Sequence, residues 1–344
     1  LLVFSSSAYL SLNQYATPYH YIKSQTLFIF IGAVAMFVAA AINYKIYNNL
    51  FVVFVVGAVA FVLMAMTPFI GEEVNAATRW IEIAGQRFMP VDLAKVAMVF
   101  SLSYGLSHFT ANRNRLIAFI IHLIYPMALL FFTYLQPDFS SMLILFGVMF
   151  SLLFIGFEPV GYVLSLVGAG AVGLVALAQL APYRMVRITG FIDGLKNVDN
   201  AMRQIRYGIL AIASGGLFGV GPGESIFNKL WVPEPHNDMI LSTLGEEFGF
   251  IGITVVLGLY FVLILNIIRL SLTQRDPFAK YLSFGIGMII FLQFVVNFGN
   301  TLGLLPPTGI SLPFISYGGT NIIILMAMIG ILLSIHRVNW RRMK

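Results

Sequence analysis

The 344 residues contain no cysteine. That excludes disulfide staples, thiol nucleophiles and cysteine-ligated metal or iron–sulfur centres. Charge is almost as scarce. Asp, Glu, Lys and Arg make up 10% of the chain, against about 25% in an ordinary soluble domain. A soluble protein of this length could not cover its surface with so few polar side chains. A soluble globular enzyme, a disordered chain and a nucleic-acid-binding module are therefore excluded together, and the net charge of +6 is no sign of a nucleic-acid partner. What is abundant is apolar. Such residues form 59% of the chain and gather in long runs.

A helix needs roughly 20 mostly apolar residues to cross a ~30 Å hydrocarbon core. The runs predict an all-α integral membrane protein of about ten transmembrane helices. The expected spans are 1–12, 24–42, 48–66, 91–108, 115–134, 139–156, 159–181, 237–269, 280–304 and 318–337. The first opens at Leu1 without Met and reads as a truncated span that serves as an anchor. The runs lack the alternation of a membrane barrel. No internal repeat is evident, which disfavours inverted-repeat transporter folds. Residues 1–344 read as a single polytopic domain, with 182–236 as a large extracytoplasmic loop between spans 7 and 8. Basic residues are denser in the short loops on the side of the termini, so both termini are expected in the cytoplasm. Of the 14 carboxylates all but Glu158 and Asp276 fall on the other side, and chemistry is expected there. The loop mixes Arg184, Arg187, Arg203, Arg206 and Lys229 with apolar runs such as 209–213. That mixture suits helices lying in the membrane interface.

Residues able to do chemistry collect at the outer ends of spans. From Trp231 to Asp238 a polar loop turns into an apolar span. Asn237 or Asp238 fits a helix N-cap, behind the prolines usual at helix starts. Asp238 also fits a general base at the outer surface, where a carboxylate reaches both water and a headgroup and can deprotonate a sugar hydroxyl. His236 is the rival base. Glu246 and Glu247 lie ~12–13 Å further along the same helix, too far for a tight carboxylate pair with Asp238 through that helix. Carboxylates at such depth are costly. A structural role is favoured for both, bonded to loop amides or to an arginine. Arg79, Arg87 and Lys95 form a candidate cationic pocket for a diphosphate, arginine giving bidentate contact and lysine a point charge. Asp92, on the same helix face as Lys95, also fits a local ion pair.

The run from Ser214 to Gly223, with Gly215 and Gly216, lacks the Lys-Ser/Thr ending of a P-loop. It reads as a close-packed turn or as amides that help hold an anion. Prolines and glycines in 305–321 forbid a continuous helix there. Such backbone is tolerated at membrane depth only inside protein or beside a wet cavity. Pro313, Gly318 and Gly319 then belong to a rigid lid, and Ser316 to a cavity wall that touches substrate. Asp138 and Ser140 read as helix caps. His236 and Asp238 alone are not a metal motif. A divalent metal, magnesium or manganese, is left open as an assistant, and no other cofactor is expected.

Arg79-Trp80, Arg87 to Lys95, Gln136-Pro137-Asp138, Gln204 with Ser214-Gly215-Gly216, Pro233 to Asp238 with Gly245 to Gly249, and Leu312 to Gly319 follow one another along the chain. In that order they resemble the SEDS family of cell-wall polymerases, the RodA/FtsW group. The resemblance implies ten spans and a multi-pass location in the bacterial inner membrane. It implies a glycosyltransferase that polymerises lipid II into glycan strands, with a class B penicillin-binding transpeptidase, membrane lipid and other elongation or division proteins as partners. Asp238 matches the family's essential aspartate; Arg87 and Lys95 match its basic pair. Arg79, Asp92, Gln204, His236 and Ser316 are also expected to bind substrate. The chain departs from the pattern at Asp92, where glutamate is expected, at Tyr207, where many members have glutamine, and at Asn237, where threonine is common. Short tails favour the RodA-like, elongation type. Two other classes stay open, a flippase of lipid-linked precursors and a non-catalytic scaffold for a transpeptidase.

Overall fold

The computed structural model describes residues 2–74, 77–83, 86–109, 115–157, 160–179, 189–194, 196 and 201–343. Glu158, Arg184 and Arg187 lie outside the described residues. Helices stand at every one of the expected spans. They are α1 (Leu2–Tyr15), α2 (His20–Ala41), α3 (Leu50–Ile70), α4 (Pro90–His108), α5 (Arg115–Leu135), α6 (Phe139–Gly156) and α7 (Val160–Gln179). Within residues 182–236 come α8 (Arg203–Ser214) and the short α9 (Phe227–Leu230), followed by α10 (Ile240–Leu272), α11 (Pro277–Thr301) and α12 (Gly319–Met343). Among the described residues seven helices, α2, α3, α5, α6, α10, α11 and α12, have the length and apolarity to cross a membrane. The shortfall against ten has local causes. α1 has 14 residues and α4 is diluted by Asp92, Lys95 and serines, whereas the 20 residues of α7 stay apolar to its end.

One element has no counterpart in the reading of apolar runs. Strands β1 (Glu72–Val74), β2 (Ala77–Ile83) and β3 (Gln86–Phe88) form an antiparallel sheet in that order. Ile81 pairs with Phe88 and Glu82 with Arg87.

The chain gathers into two compact units. One comprises Leu1–Leu27, Gly168–Leu263 and Gln293–Gly318; the other comprises Phe28–Val167, Ile264–Leu292 and Gly319–Lys344. In the second unit α4 is the core helix, packed on α3, α5, α6 and α12. Val91, Ala94, Ala97, Met98, Val99, Phe100 and Leu102 are all buried. Because protein surrounds it, α4 can carry polar residues that a lipid-facing helix could not. Phe37, Phe51, Phe54 and Phe69 on α2 and α3 are exposed, as a face in contact with lipid would be. The ends of α2 and α12 and the start of α11 meet. Tyr44 Oη donates to Asp276 at 3.0 Å, Tyr44 N–H donates to Ser334 Oγ at 3.0 Å, and Arg337 donates to the Ala41 carbonyl at 2.8 Å. Residues assigned to one membrane side by charge counting thus share one end of the unit.

In the first unit α10 is broken. Gly249 has φ 63° and ψ −162°, which opens the helical ladder inside the Gly245 to Gly249 motif. The freed backbone groups find partners in the glycine-rich loop after α8. Val220 N–H donates to the Glu246 carbonyl at 2.9 Å and Gly221 N–H to the Glu247 carbonyl at 3.1 Å. In return Phe250 N–H donates to the Gly216 carbonyl at 2.9 Å and Ile251 N–H to the Leu217 carbonyl at 3.2 Å. Backbone at membrane depth needs such satisfaction. Only glycine permits it here. A Cβ on Gly215 would stand 2.0 Å from the Gly245 carbonyl oxygen, and one on Gly219 2.1 Å from that of Glu247. Leu241, Leu244 and Ile253 form the adjoining core, with Leu2, Ile212, Phe248 and Phe298 packed on it.

Candidate active site

Asp238 belongs to the first unit and sits in the turn before α10. That turn is pinned through consecutive backbone carbonyls. Tyr317 N–H donates to the His236 carbonyl at 2.9 Å. Ser316 Oγ donates to the Asn237 carbonyl, and Asn297 Nδ2 donates to the Asp238 carbonyl at 2.8 Å. Ser316 Oγ also accepts from Leu312 N–H at 2.8 Å. The proline-rich loop is itself held. Asn297 donates to the Ile310 carbonyl at 2.7 Å and Asn300 to that of Thr308 at 3.0 Å. Tyr260 Oη donates to Pro313 O. Gln25 of α2 donates to the Ser316 carbonyl and accepts from Gly318 N–H, both at 3.3 Å. A side chain on so constrained a turn is preorganised.

The Asp238 carboxylate is half-buried and accepts from Gln204 Nε2 at 3.0 Å. A carboxylate has about four acceptor positions, and Gln204 takes one of them. His236, two residues earlier, is buried. Its ring lies 4.5 Å from the Tyr21 ring and 5.7 Å from that of Tyr317. Burial pushes its imidazole down from 6.5 to about 4, although the Glu234 carboxylate stands 3.8 Å from Nε2. His236 is therefore neutral at pH 7.

Glu246 and Glu247 are both buried. Glu246 Oε1 accepts from the backbone N–H of Ile226 at 2.7 Å and of Phe227 at 3.0 Å, and Oε2 accepts from Ser225. Glu247 accepts from Ser5 Oγ of α1. Glu246 thus fixes the segment 225–227 at the start of α9, and Glu247 ties α1 to α10. Gly215 and Gly216 belong to the clasp around the broken turn.

Arg79, Arg87, Asp92 and Lys95 belong to the second unit. Each cation has its own carboxylate. Lys95 Nζ donates to Asp92 Oδ1 at 2.8 Å, and both side chains are buried. Arg87 Nε donates to Glu72 at 2.8 Å across the sheet, with the arginine side chain 60% exposed. Arg79 donates to the Pro137 carbonyl at 2.8 Å and lies 3.8 Å from Asp138. Asp138 is the N-cap of α6 and accepts from Ser141 N–H. Gly319, at the start of α12, packs on the Phe28 ring, which a Cβ there would meet at 2.8 Å. Among the described residues no group of three His, Asp or Glu side chains stands together as metal ligands would. Sequence reasoning missed Gln25, Asn297 and Asn300. The last two are amides inside an apolar run, and that cost of burial was the available signal.

Fold and site define a polytopic helical membrane protein with a carboxylate held on a clamped turn. The family model described as cell cycle protein, covering FtsW, RodA and SpoVE, matches residues 1–340, and the chain belongs to that family. A probable peptidoglycan glycosyltransferase FtsW from Geobacter sp. (strain M18) is 33% identical over 340 residues, 97% of this chain and 92% of its own length. The protein of the same name from Haemophilus influenzae is 34% identical over 341 residues, 98% of this chain and 86% of its own length. Among solved structures, a chain of a peptidoglycan synthase complex, reported for its structural coordination of polymerization and crosslinking, matches with TM-score 0.78 at 24% identity. It covers 99% of this chain and 97% of its own. Thermus thermophilus rod shape determining protein RodA matches with TM-score 0.70 at 25% identity, over 98% of this chain and 94% of its own.

Proposed function

We propose that this chain is a peptidoglycan glycosyltransferase of the bacterial inner membrane, polymerising lipid II into glycan strands at the outer face. One observation carries the reading. The Asp238 carboxylate is oriented by Gln204 on a turn whose carbonyls are pinned by Tyr317, Ser316 and Asn297. Asp238 takes the proton of the acceptor's 4-hydroxyl as that oxygen attacks the anomeric carbon of the donor. The new oxygen–carbon bond forms as the bond from that carbon to the diphosphate breaks, and the diphosphate carries off the electron pair. The configuration inverts, so no second nucleophilic carboxylate is needed. Neutral His236 packs beside the turn and leaves the base role to Asp238. Gln204 and Ser316 position that base; the exposed Arg87, and Arg79 with the Asp92–Lys95 pair, keep a proposed role in substrate binding.

Division rather than elongation is the process we assign. Short tails favoured elongation, but the curated relatives carry the FtsW name and the family is described as cell cycle protein. A class B penicillin-binding transpeptidase is the proposed partner, supported by the synthase complex to which a solved relative belongs. The test is lipid II polymerisation by the purified chain with partner, moenomycin present to silence unrelated polymerases. Wild type should form glycan, and Asp238→Asn should lose about 100- to 10,000-fold of rate. Full activity in a folded Asp238→Asn protein sinks the base assignment. Lipid flipping without product would make the protein a transporter.

A further inference from the structure

The first unit holds a cavity of ≈ 260 Å³ that the scheme above does not use. Tyr9 of α1, Arg203 of α8, Lys229 and Leu230 of α9, and Trp231 line it. Its two cations differ from Arg79, Arg87 and Lys95. Among the described residues neither Arg203 nor Lys229 makes an ion pair with a carboxylate. Lys229 Nζ donates to the Gly223 carbonyl at 2.5 Å, which uses one of its three donors, and it feels the charge of Glu247. The Arg203 guanidinium stands 6.0 Å from the Tyr207 ring centroid. Tyr207 in turn stacks on Trp231 at 5.3 Å and 26°, so one aromatic pair braces both sides of the cavity. Its apolar and aromatic lining is open to the outside: Leu230 is 57% and Trp231 45% exposed. Two exposed cations beside aromatic and apolar side chains make the arrangement of a headgroup-level site.

Its place relative to Asp238 follows from the chain. Arg203 and Gln204 are consecutive on the first turn of α8. Arg203 lines the cavity while Gln204 bonds the Asp238 carboxylate. Trp231 begins the segment that leads directly into the Asp238 turn. We propose that this cavity binds the diphosphate head of a membrane-held polyprenyl amphiphile, with Arg203 and Lys229 as its anion contacts. Given the polymerase reading above, on which this assignment rests, these are the cations that receive the leaving diphosphate. The aromatic and apolar lining holds the start of the lipid tail.

The test titrates the purified full-length chain in nanodiscs with a short-chain polyprenyl diphosphate lacking sugar, read by tryptophan fluorescence. Trp231→Phe should abolish the saturable part of the signal. Arg203→Gln/Lys229→Gln should bind about 10- to 100-fold more weakly. Arg203→Lys/Lys229→Arg should bind within a few-fold of wild type, which separates charge from folding. Inorganic pyrophosphate should compete poorly. Unchanged binding by the glutamine double variant, or equal affinity for inorganic pyrophosphate, overturns the proposal. The two readings fail differently. A wild-type chain that binds the probe but makes no glycan with its partner removes the polymerase and leaves the anion site. Glycan made at the wild-type rate by the glutamine double variant removes the anion site and leaves the polymerase.

Discussion

Removing one member of the Asp92–Lys95 pair should cost more than removing both. Each charge is buried in the core helix of its unit, so Asp92→Leu alone strands an ammonium without its partner. The expected loss is about 3–5 kcal/mol, whereas replacing both with apolar residues of similar volume ranges from neutral to stabilising. Thermal unfolding in detergent of Asp92→Leu against Asp92→Leu/Lys95→Met measures the difference. If the stable double variant keeps glycan synthesis, the pair is only structural; lost synthesis at retained stability assigns it to substrate. His236 gives a second residue-scale prediction. Burial lowers its imidazole from 6.5 to about 4. Below pH 6.5 the unfolded chain takes up a proton that the native state refuses. His236 therefore leaves stability untouched above about pH 6.5, and the native state loses up to about 3 kcal/mol as pH falls to about 4. His236→Gln should flatten that fall in chemical unfolding curves taken across the window.

At the scale of elements the glycine clasp decides what α10 can be. Read by its apolar residues, 237–269 is one continuous span. The structure breaks it at Gly249 because the Gly215 to Gly221 loop supplies and accepts the missing backbone bonds. Neither half was legible alone. The glycine run pointed equally to an anion-holding turn, since its partner lies some thirty residues downstream and only the fold brings the two together. Neighbouring glycines should then respond unequally to a methyl group. Gly216 has φ +55° and open space around its would-be Cβ, so Gly216→Ala should cost about 1 kcal/mol in backbone strain. At Gly215 the methyl carbon would collide with the Gly245 carbonyl 2.0 Å away. Gly215→Ala must push two backbones apart and should cost about 3 kcal/mol. Equal shifts in thermal midpoint for both variants would remove the clasp from this account.

For the whole molecule the apolar runs were enough to locate every long helix to within a few residues, because the demand for internally bonded backbone in lipid leaves few alternatives. The sheet of 72–88 escaped the same logic. Its strands are short, and their pairing depends on partners across turns rather than on a run. The site was partly legible: carboxylates at an apolar boundary marked Asp238, but the amides of Asn297 and Gln25 that hold its turn and lid were hidden in greasy segments. Sidedness was read from sparse charge, and the structure adds that Tyr44, Asp276 and Arg337 with its Ala41 contact share one end. The absence of cysteine makes the orientation directly testable. Thr273 and Leu304 are exposed and flank α11, which runs Pro277–Thr301. In a chain with no other thiol, Leu304→Cys should react with a membrane-impermeant maleimide on intact spheroplasts, and Thr273→Cys only after permeabilisation. The reverse pattern would invert the orientation and put Asp238 on the cytoplasmic side, away from any outer-face substrate. Labelling of both from outside would mean that α11 does not cross the bilayer at all.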